Sequence, residues 1–348
     1  MIFEIYDLHS HKREFTEYIW GCIDEKALIK AFQSNYIDLE TIVELKIIGD
    51  NIEIEWGNQF SSFPSLRRLT LVGNEQVRLN CYNFEHSSIS YVSIVAKNIW
   101  FNDGSFANAD TLLSVNISGH ILDGHCEGGM AELLFKNCVN LKHIRGFYQG
   151  TRLMPAVFEN CKSLEYPLDF RVRELGYRTF SECSSLKQIV MHNGLQNLGY
   201  QAFVNCTSLE DIYIPDSVQS LGSETFSGCV NLKTIHLPEE IIVIPKNFLK
   251  DCRSLGKCFL PNSISKIEES AFEGCVSLQS PFIPNNMKKI EKNAFKGCVS
   301  IRSIYLPESI EFIGEGAFED CPQLVIKGTK GTYAEQYAIE HSIEFVID

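Results

Sequence analysis

The apolar positions of this chain fall into short period-two pairs that return at a fixed interval. In the unit that begins at Cys206, Leu209 is followed by Ile212 and Ile214, then by Pro215, Val218, Leu221, Gly222 and Phe226. Alternate residues such as Ile212 and Ile214 suit a short strand with one side buried. Pro215 lacks a backbone donor and ends that strand, and the small polar and glycine positions after it suit turns. Each unit thus predicts one strand and one return, and stacked units predict a parallel sheet. A single unit cannot bury its own apolar edge, so its neighbours are part of its fold.

Cysteine marks the interval. Cys138, Cys161, Cys183, Cys206, Cys229, Cys252, Cys275, Cys298 and Cys321 are 23 residues apart at every step but one, which is 22. A Phe usually stands three residues before the cysteine and a Leu or Ile three after it. Towards the N-terminus the frame continues with Ala109 in the cysteine place, among Phe106, Leu112, Val115 and Ile117. Phe63 takes that place among Phe60, Leu66, Leu69 and Leu71, and looser copies run through Ile89, Val92 and Ile94 and through Ile42, Leu45 and Ile47. The array therefore holds about a dozen coils.

A solenoid needs ends that hide its last coil. Asp24 is placed as the N-cap of a helix whose apolar face is Ala27, Leu28, Ala31 and Phe32. Thr332 and Glu335 stand in capping-box spacing ahead of a second amphipathic helix and a strand-like tail. The expected division is an N-terminal cap over residues 1–40, a solenoid over 41–321 that is regular from 135, and a C-terminal cap over 322–348.

Composition narrows the function. A chain of 348 residues, 45% hydrophobic, has the length of about two ordinary domains, but a repeat array grows without adding domains. A net charge of -13 argues against the basic footprint of a nucleic-acid binder. No window approaches the run of about 18 apolar residues that a membrane-spanning helix needs. The opening "MIFEIYDLHSHKREF" lacks the basic, apolar and small-residue regions of a secretory signal.

The cysteine series, its Phe partner and the "I-x-I/L-P" segment resemble the BspA-like class of leucine-rich repeats, found in surface and secreted proteins of bacteria and protists. The resemblance is strong over residues 135–348 and weaker over 40–134. It implies a leucine-rich repeat solenoid: a parallel β-strand ladder on the concave side, turns and short helices elsewhere, and a binding role with no catalytic residues. The chain departs from the pattern at Pro245, Glu268 and Glu291, where a glycine is lost, at Phe248, which is slipped by one residue, and in an insertion over 118–134. Localisation is left between two readings: the family is often exported, whereas unpaired thiols fit a reducing compartment.

The cysteines themselves invite a chemical reading, but none forms the paired C-x(2-4)-C turns of a zinc site. Buried thiols that pack as small hydrophobes account for the ladder, and Ala109 in the same slot agrees with that. Cys22, Cys81, Cys126 and Cys258 lie off the ladder. In the insertion, His120, Asp123, His125, Cys126 and Glu127 are residue types that bind divalent ions, in a spacing that matches no established motif. "DLHSH", Asp7 to His11, resembles the opening D-x-H-x-H of PHP-type metal-dependent phosphoesterases, without their later ligands. The expectation is therefore a chain with no catalytic residues, no metal site and no cofactor, and a metal-dependent hydrolase using His9 and His11 is the distant alternative.

The residues between the inward pairs must point outwards, and successive coils set them in a row. That row reads Lys46, Thr70, Ser93, Asn116 and Arg145, then Val190, Tyr213, His236, Phe259, Phe282 and Tyr305. Its first part is polar and its second largely apolar and aromatic. Such a patch marks an interaction site for a protein, or for a glycan; equally, stacked rings stabilise a parallel sheet without binding anything. The functional expectation is a recognition scaffold that binds on the concave strand face, with a structural or surface-display spacer as the alternative.

Overall fold

The computed structural model describes residues 1–19, 22–55, 57, 60–122, 131–146, 152–165 and 169–347. It divides into two units, Met1–Tyr166 and Pro167–Asp348. Both are β-solenoids of stacked coils joined by parallel strand pairs.

The first unit carries one seven-stranded sheet. A hairpin of β1 (Ile2–Asp7) and β2 (Lys12–Thr16) opens it, and β1 lies antiparallel to β3 (Ile42–Ile54). From β3 onwards the pairs are parallel, through β4 (Arg68–Leu79), β5 (Tyr91–Phe101), β6 (Ser114–Leu122) and β7 (His143–Arg145). The helix expected after Asp24 is present as α1 (Glu25–Ser34), with the Asp24 carboxylate accepting from the Ala27 amide and Leu28, Ala31 and Phe32 buried. The hairpin was not expected: its charged strand β2 closes the edge that β1 would otherwise expose.

Strands β3 to β6, of 13, 12, 11 and 9 residues, are far longer than the short strands expected. The reason is local chemistry. Where later coils carry Pro215, Pro238, Pro261, Pro284 or Pro307, these coils carry Ile48, Val72, Val95 and Ser118. Each keeps its backbone donor, so the ladder runs on past a bulge to a second row of pairs.

In the second unit each strand is two to four residues long. Asp211–Tyr213, Thr234–His236 and Lys257–Cys258 form one parallel set, and Ser303–Tyr305, Val325–Gly328 and Glu344–Ile347 another. The coils also hold a second short strand each, such as Ser220–Leu221 and Lys266–Ile267, which the sequence reading placed in turns. The helix α2 (Tyr333–Glu340) precedes the last strand. Its expected capping box is not formed: the Thr332 hydroxyl donates to the Thr329 carbonyl instead of accepting from the helix, and Glu335 accepts from the Gly331 amide instead of that of Thr332.

The core is columnar. Phe60, Phe84, Phe106, Phe135 and Phe158 stack in the first unit at 4.7 to 5.7 Å between rings. Phe180, Phe203 and Phe226 do so in the second, as do Phe272, Phe295 and Phe318. The slipped Phe248 breaks the ring column without breaking the register. Leu249 takes the column slot, where its carbonyl receives the Cys275 thiol, and Phe248 takes the slot of Ala271 or Ala294, meeting Phe226 edge-on at 86°. Two of the three lost glycines are also absorbed, since the Glu268 and Glu291 amides still donate to Ile244 and Ile267 at 2.9 Å, whereas Pro245 has no amide to donate.

Candidate binding face

The expected outward row is a continuous register in the first unit and a series of separate in-register pairs in the second. Lys46 pairs in register with Thr70, Thr70 with Ser93, Ser93 with Asn116 and Asn116 with Arg145. Glu4 of β1 extends it and holds the Lys46 ammonium at 3.1 Å. The hydrogen bonds from Lys46 and Lys12 hold the Glu4 carboxyl below its usual value. This row is polar throughout.

In the second unit, alternation sorts the side chains by face. Ile212 and Ile214, Ile235 and Leu237, Cys258 and Leu260, and Ile304 and Leu306 are all buried. Between them Tyr213, Phe259 and Tyr305 are exposed, as are Val190 and Phe282 in their own coils. Tyr213 pairs with His236 and their rings stack 4.5 Å apart, 2° from parallel. Phe259 bridges to Phe282, and these two keep 73% and 54% of their surface exposed. Both features occur along the row: Tyr213 and His236 stack on each other, and Phe259 and Phe282, like Tyr213, hold apolar surface in water.

The row runs further than the sequence reading took it. Tyr305 pairs with Lys327 and Lys327 with Val346 of the last strand. The alternation of Val325, Ile326, Lys327 and Gly328 was the available signal. On the flanking positions Asp211 accepts from the Thr234 hydroxyl, so a polar margin borders the apolar row.

The cysteine ladder is built for packing. All described cysteines are free thiols. Within the second unit the ladder thiols from Cys206 onwards each donate to a carbonyl of the coil before: Cys206 to Phe180, Cys229 to Phe203, Cys252 to Phe226, Cys275 to Leu249, Cys298 to Phe272 and Cys321 to Phe295, at 3.1 to 3.2 Å. Cys138 and Cys161 do the same to Phe106 and Phe135 in the first. Burial pushes the thiols of Cys229 and Cys258 up to about 12. A thiol held protonated is a poor nucleophile and metal ligand. Cys258, off the ladder in sequence, fills the inward strand slot that Ile235 fills one coil earlier.

The residue before each cysteine explains why Asn, Asp and Gly gather there. Asn205, Gly228, Asp251, Gly274, Gly297 and Asp320 all have φ between 59° and 74°, the left-handed region those residues tolerate best.

The histidines of "DLHSH" turn the β1–β2 hairpin. Asp7 accepts from the backbone amides of His9 and His11, the latter bond being the chief reason its carboxyl lies low, and its other oxygen meets the His11 ring at 3.2 Å. In the insertion, His120 is exposed at the end of β6, and Asp123, His125, Cys126 and Glu127 lie outside the described residues. Among the described residues no group of three or more His, Cys, Asp or Glu side chains is placed to hold a metal ion. No helix among them is long and apolar enough to cross a membrane.

Comparison with known proteins follows this geometry. A leucine-rich repeat protein from Bacteroides ovatus has a similar fold, with a TM-score of 0.56 at 20% identity over 88% of this chain and 94% of its own. One from Eubacterium ventriosum aligns at a TM-score of 0.44 and 19% identity, over 80% of this chain and 90% of its own. The pneumococcal vaccine antigen PcpA aligns at 0.44 and 15%, over 82% and 77%. No curated protein matches the chain. The BspA type leucine rich repeat region matches it over residues 30–165, 129–229 and 197–325 in six copies. The chain therefore belongs to the BspA-type leucine-rich repeat family.

Proposed function

We propose that this chain is a non-enzymatic recognition scaffold, and that the outward strand face of its second unit binds a protein. The contact is the row Val190, Tyr213, His236, Phe259, Phe282 and Tyr305. The observation that carries this reading is the exposure of Phe259 and Phe282, paired by a parallel bridge, while their inward neighbours Cys258, Leu260 and Ile283 are buried. A glycan is the second ligand class such rings accept, since their faces suit sugar C–H surfaces as well as apolar side chains. Membership of a repeat family used for protein interaction supports the reading, and the polar row of the first unit marks no comparable patch.

The test is capture of partners from the source organism and its surroundings by the full chain and by its Phe259→Ser/Phe282→Ser/Tyr305→Ser variant. All three residues are exposed, so the variant keeps the thermal midpoint within a few degrees. Specific capture by the native chain is expected to be lost in the variant, by at least about tenfold in affinity, as befits removal of aromatic anchors. Equal capture by both removes the row from the binding site, and no capture by either favours the spacer role.

A further inference from the structure

From Arg178 to Gly297 the turns of the second unit donate backbone N–H groups to the coil that follows. The amides of Ser270, Phe272 and Gly274 donate to the carbonyls of Lys292, Ala294 and Lys296. One coil on, those of Asn293, Phe295 and Gly297 donate to Glu315, Ala317 and Glu319. In the last coil the equivalent trio is Gly316, Phe318 and Asp320. Among the described residues the amides of Gly316 and Asp320 meet no acceptor. That of Phe318 faces the hydroxyl of Tyr337, a phenol that burial pushes up to about 12.

Helix α2 therefore closes the middle of this edge and leaves its flanks open. The Tyr337 ring stands edge-on to Phe318 at 6.1 Å. Between the edge and α2 lies a cavity of about 480 Å³, lined by Gly316, Phe318, Asp320, Tyr337, His341 and Ile343. That volume is in the range of small-ligand sites. Two unpaired donors, one on each side of Tyr337 and beside a groove, are contact points for the carbonyls of an added segment.

The charge pattern says which segment. In the interior of the array a glutamate is sandwiched by lysines of the coils on either side. Glu273 meets Lys250 at 3.2 Å and feels Lys296 from the other side; its carboxyl stays low although burial works to raise it, because the Ser270 and Lys250 hydrogen bonds and both lysine charges outweigh that. Two coils later Glu319 meets Lys296 at 2.6 Å and Glu315 meets Lys292 at 3.5 Å. Both lysines come from the preceding coil, and among the described residues no cation pairs with either carboxylate from the open side. The side that would receive the next lysines is the side of the unpaired amides.

We propose that this terminal edge docks a short basic peptide segment, whose carbonyls accept from the Gly316 and Asp320 amides and whose lysine or arginine side chains complete Glu315 and Glu319. The site is separate from the aromatic row, and it stands or falls without it.

The experiment uses the full chain and two labelled hexapeptides, one alternating valine with lysine and the other valine with glutamate. Binding is followed by fluorescence anisotropy at two salt concentrations and by backbone amide chemical shifts. The lysine peptide is expected to bind, more weakly at high salt, with the largest shifts at the Gly316 and Asp320 amides. The glutamate peptide is expected to bind at least about tenfold more weakly. The E315Q/E319Q/D320N variant should lose the lysine peptide to the same degree, while the Phe259→Ser/Phe282→Ser/Tyr305→Ser variant keeps it. Equal binding of both peptides, no binding of either, or shifts confined to other amides would overturn the proposal. So would concentration-dependent dimerisation that the E315Q/E319Q/D320N variant abolishes without any peptide binding, since the occupant would then be a second copy. The amide shifts are read on the unmodified chain, so the outcome does not depend on the variant folding.

Discussion

Between pH 9 and pH 12 the chain is expected to lose stability steeply, because its core is lined with thiols that the fold keeps protonated. Burial raises Cys229 and Cys258 from 9.0 to about 12 and takes Cys206, Cys252 and Cys275 well above 9.0. The sign follows from linkage. An acid whose pKa is higher in the folded state favours folding fully below its unfolded pKa, and that contribution disappears as pH climbs through the folded value. Each such thiol adds a slope approaching about 1.4 kcal/mol per pH unit across that window, so several together dominate alkaline unfolding.

Urea titrations at pH 8, 9.5 and 10.5, on the native chain and on Cys229→Ala, check this. Ala109 already occupies the equivalent slot one coil before Cys138, so alanine fits the frame. The variant is expected to be less stable at pH 8 by about 1 kcal/mol, for the lost thiol contacts, and to show the shallower pH dependence. Identical slopes would mean that the thiols do not govern the transition.

Phe203→Ala is expected to cost about 3 to 5 kcal/mol. Its ring is fully buried, with Phe180 and Phe226 stacked on its two sides at 5.3 Å. Truncation opens a cavity that rigid coils on both sides cannot collapse into, and it removes two ring contacts as well. Phe203→Leu is expected to cost much less, about 1.5 kcal/mol or below, because Leu249 fills the same slot two coils on. Denaturant midpoints of the two variants measure the difference. Similar losses for both would show that the column depends on aromatic stacking more than on filled volume.

Much of this was legible because a solenoid writes its geometry into a single short period. Alternation around Ile212 and Ile235 was enough to place Tyr213 beside His236, and the same alternation set Lys46 against Thr70. The hairpin of β1 and β2 escaped because it occurs once: Asp7, His9 and His11 look like ligands in sequence, and only the folded turn shows the carboxylate spent on backbone amides. The long strands escaped because the stop signal was learned from Pro215 and its repeats, and its replacement by Ile48 or Val72 was not read as permission to continue. The open edge at Gly316 and Asp320 was beyond any sequence reading, since a missing acceptor is visible only when the neighbouring coil is placed.

The aromatic row differs from the ladder in kind. The Phe and Cys columns are fixed by what they touch inside the coil stack, whereas Phe259 and Phe282 could be serine without loss to the core. Their exposure is the observation on which the proposed binding role rests.

Hydroxyl-radical footprinting of the chain with and without a captured partner tests that role most directly. Phe259, Phe282 and Tyr305 are expected to be labelled in the free chain and protected in the complex, while Tyr36 in the first unit, 93% exposed, stays labelled in both. Unchanged labelling of Phe259 and Phe282 in the complex, with protection elsewhere, would contradict the account.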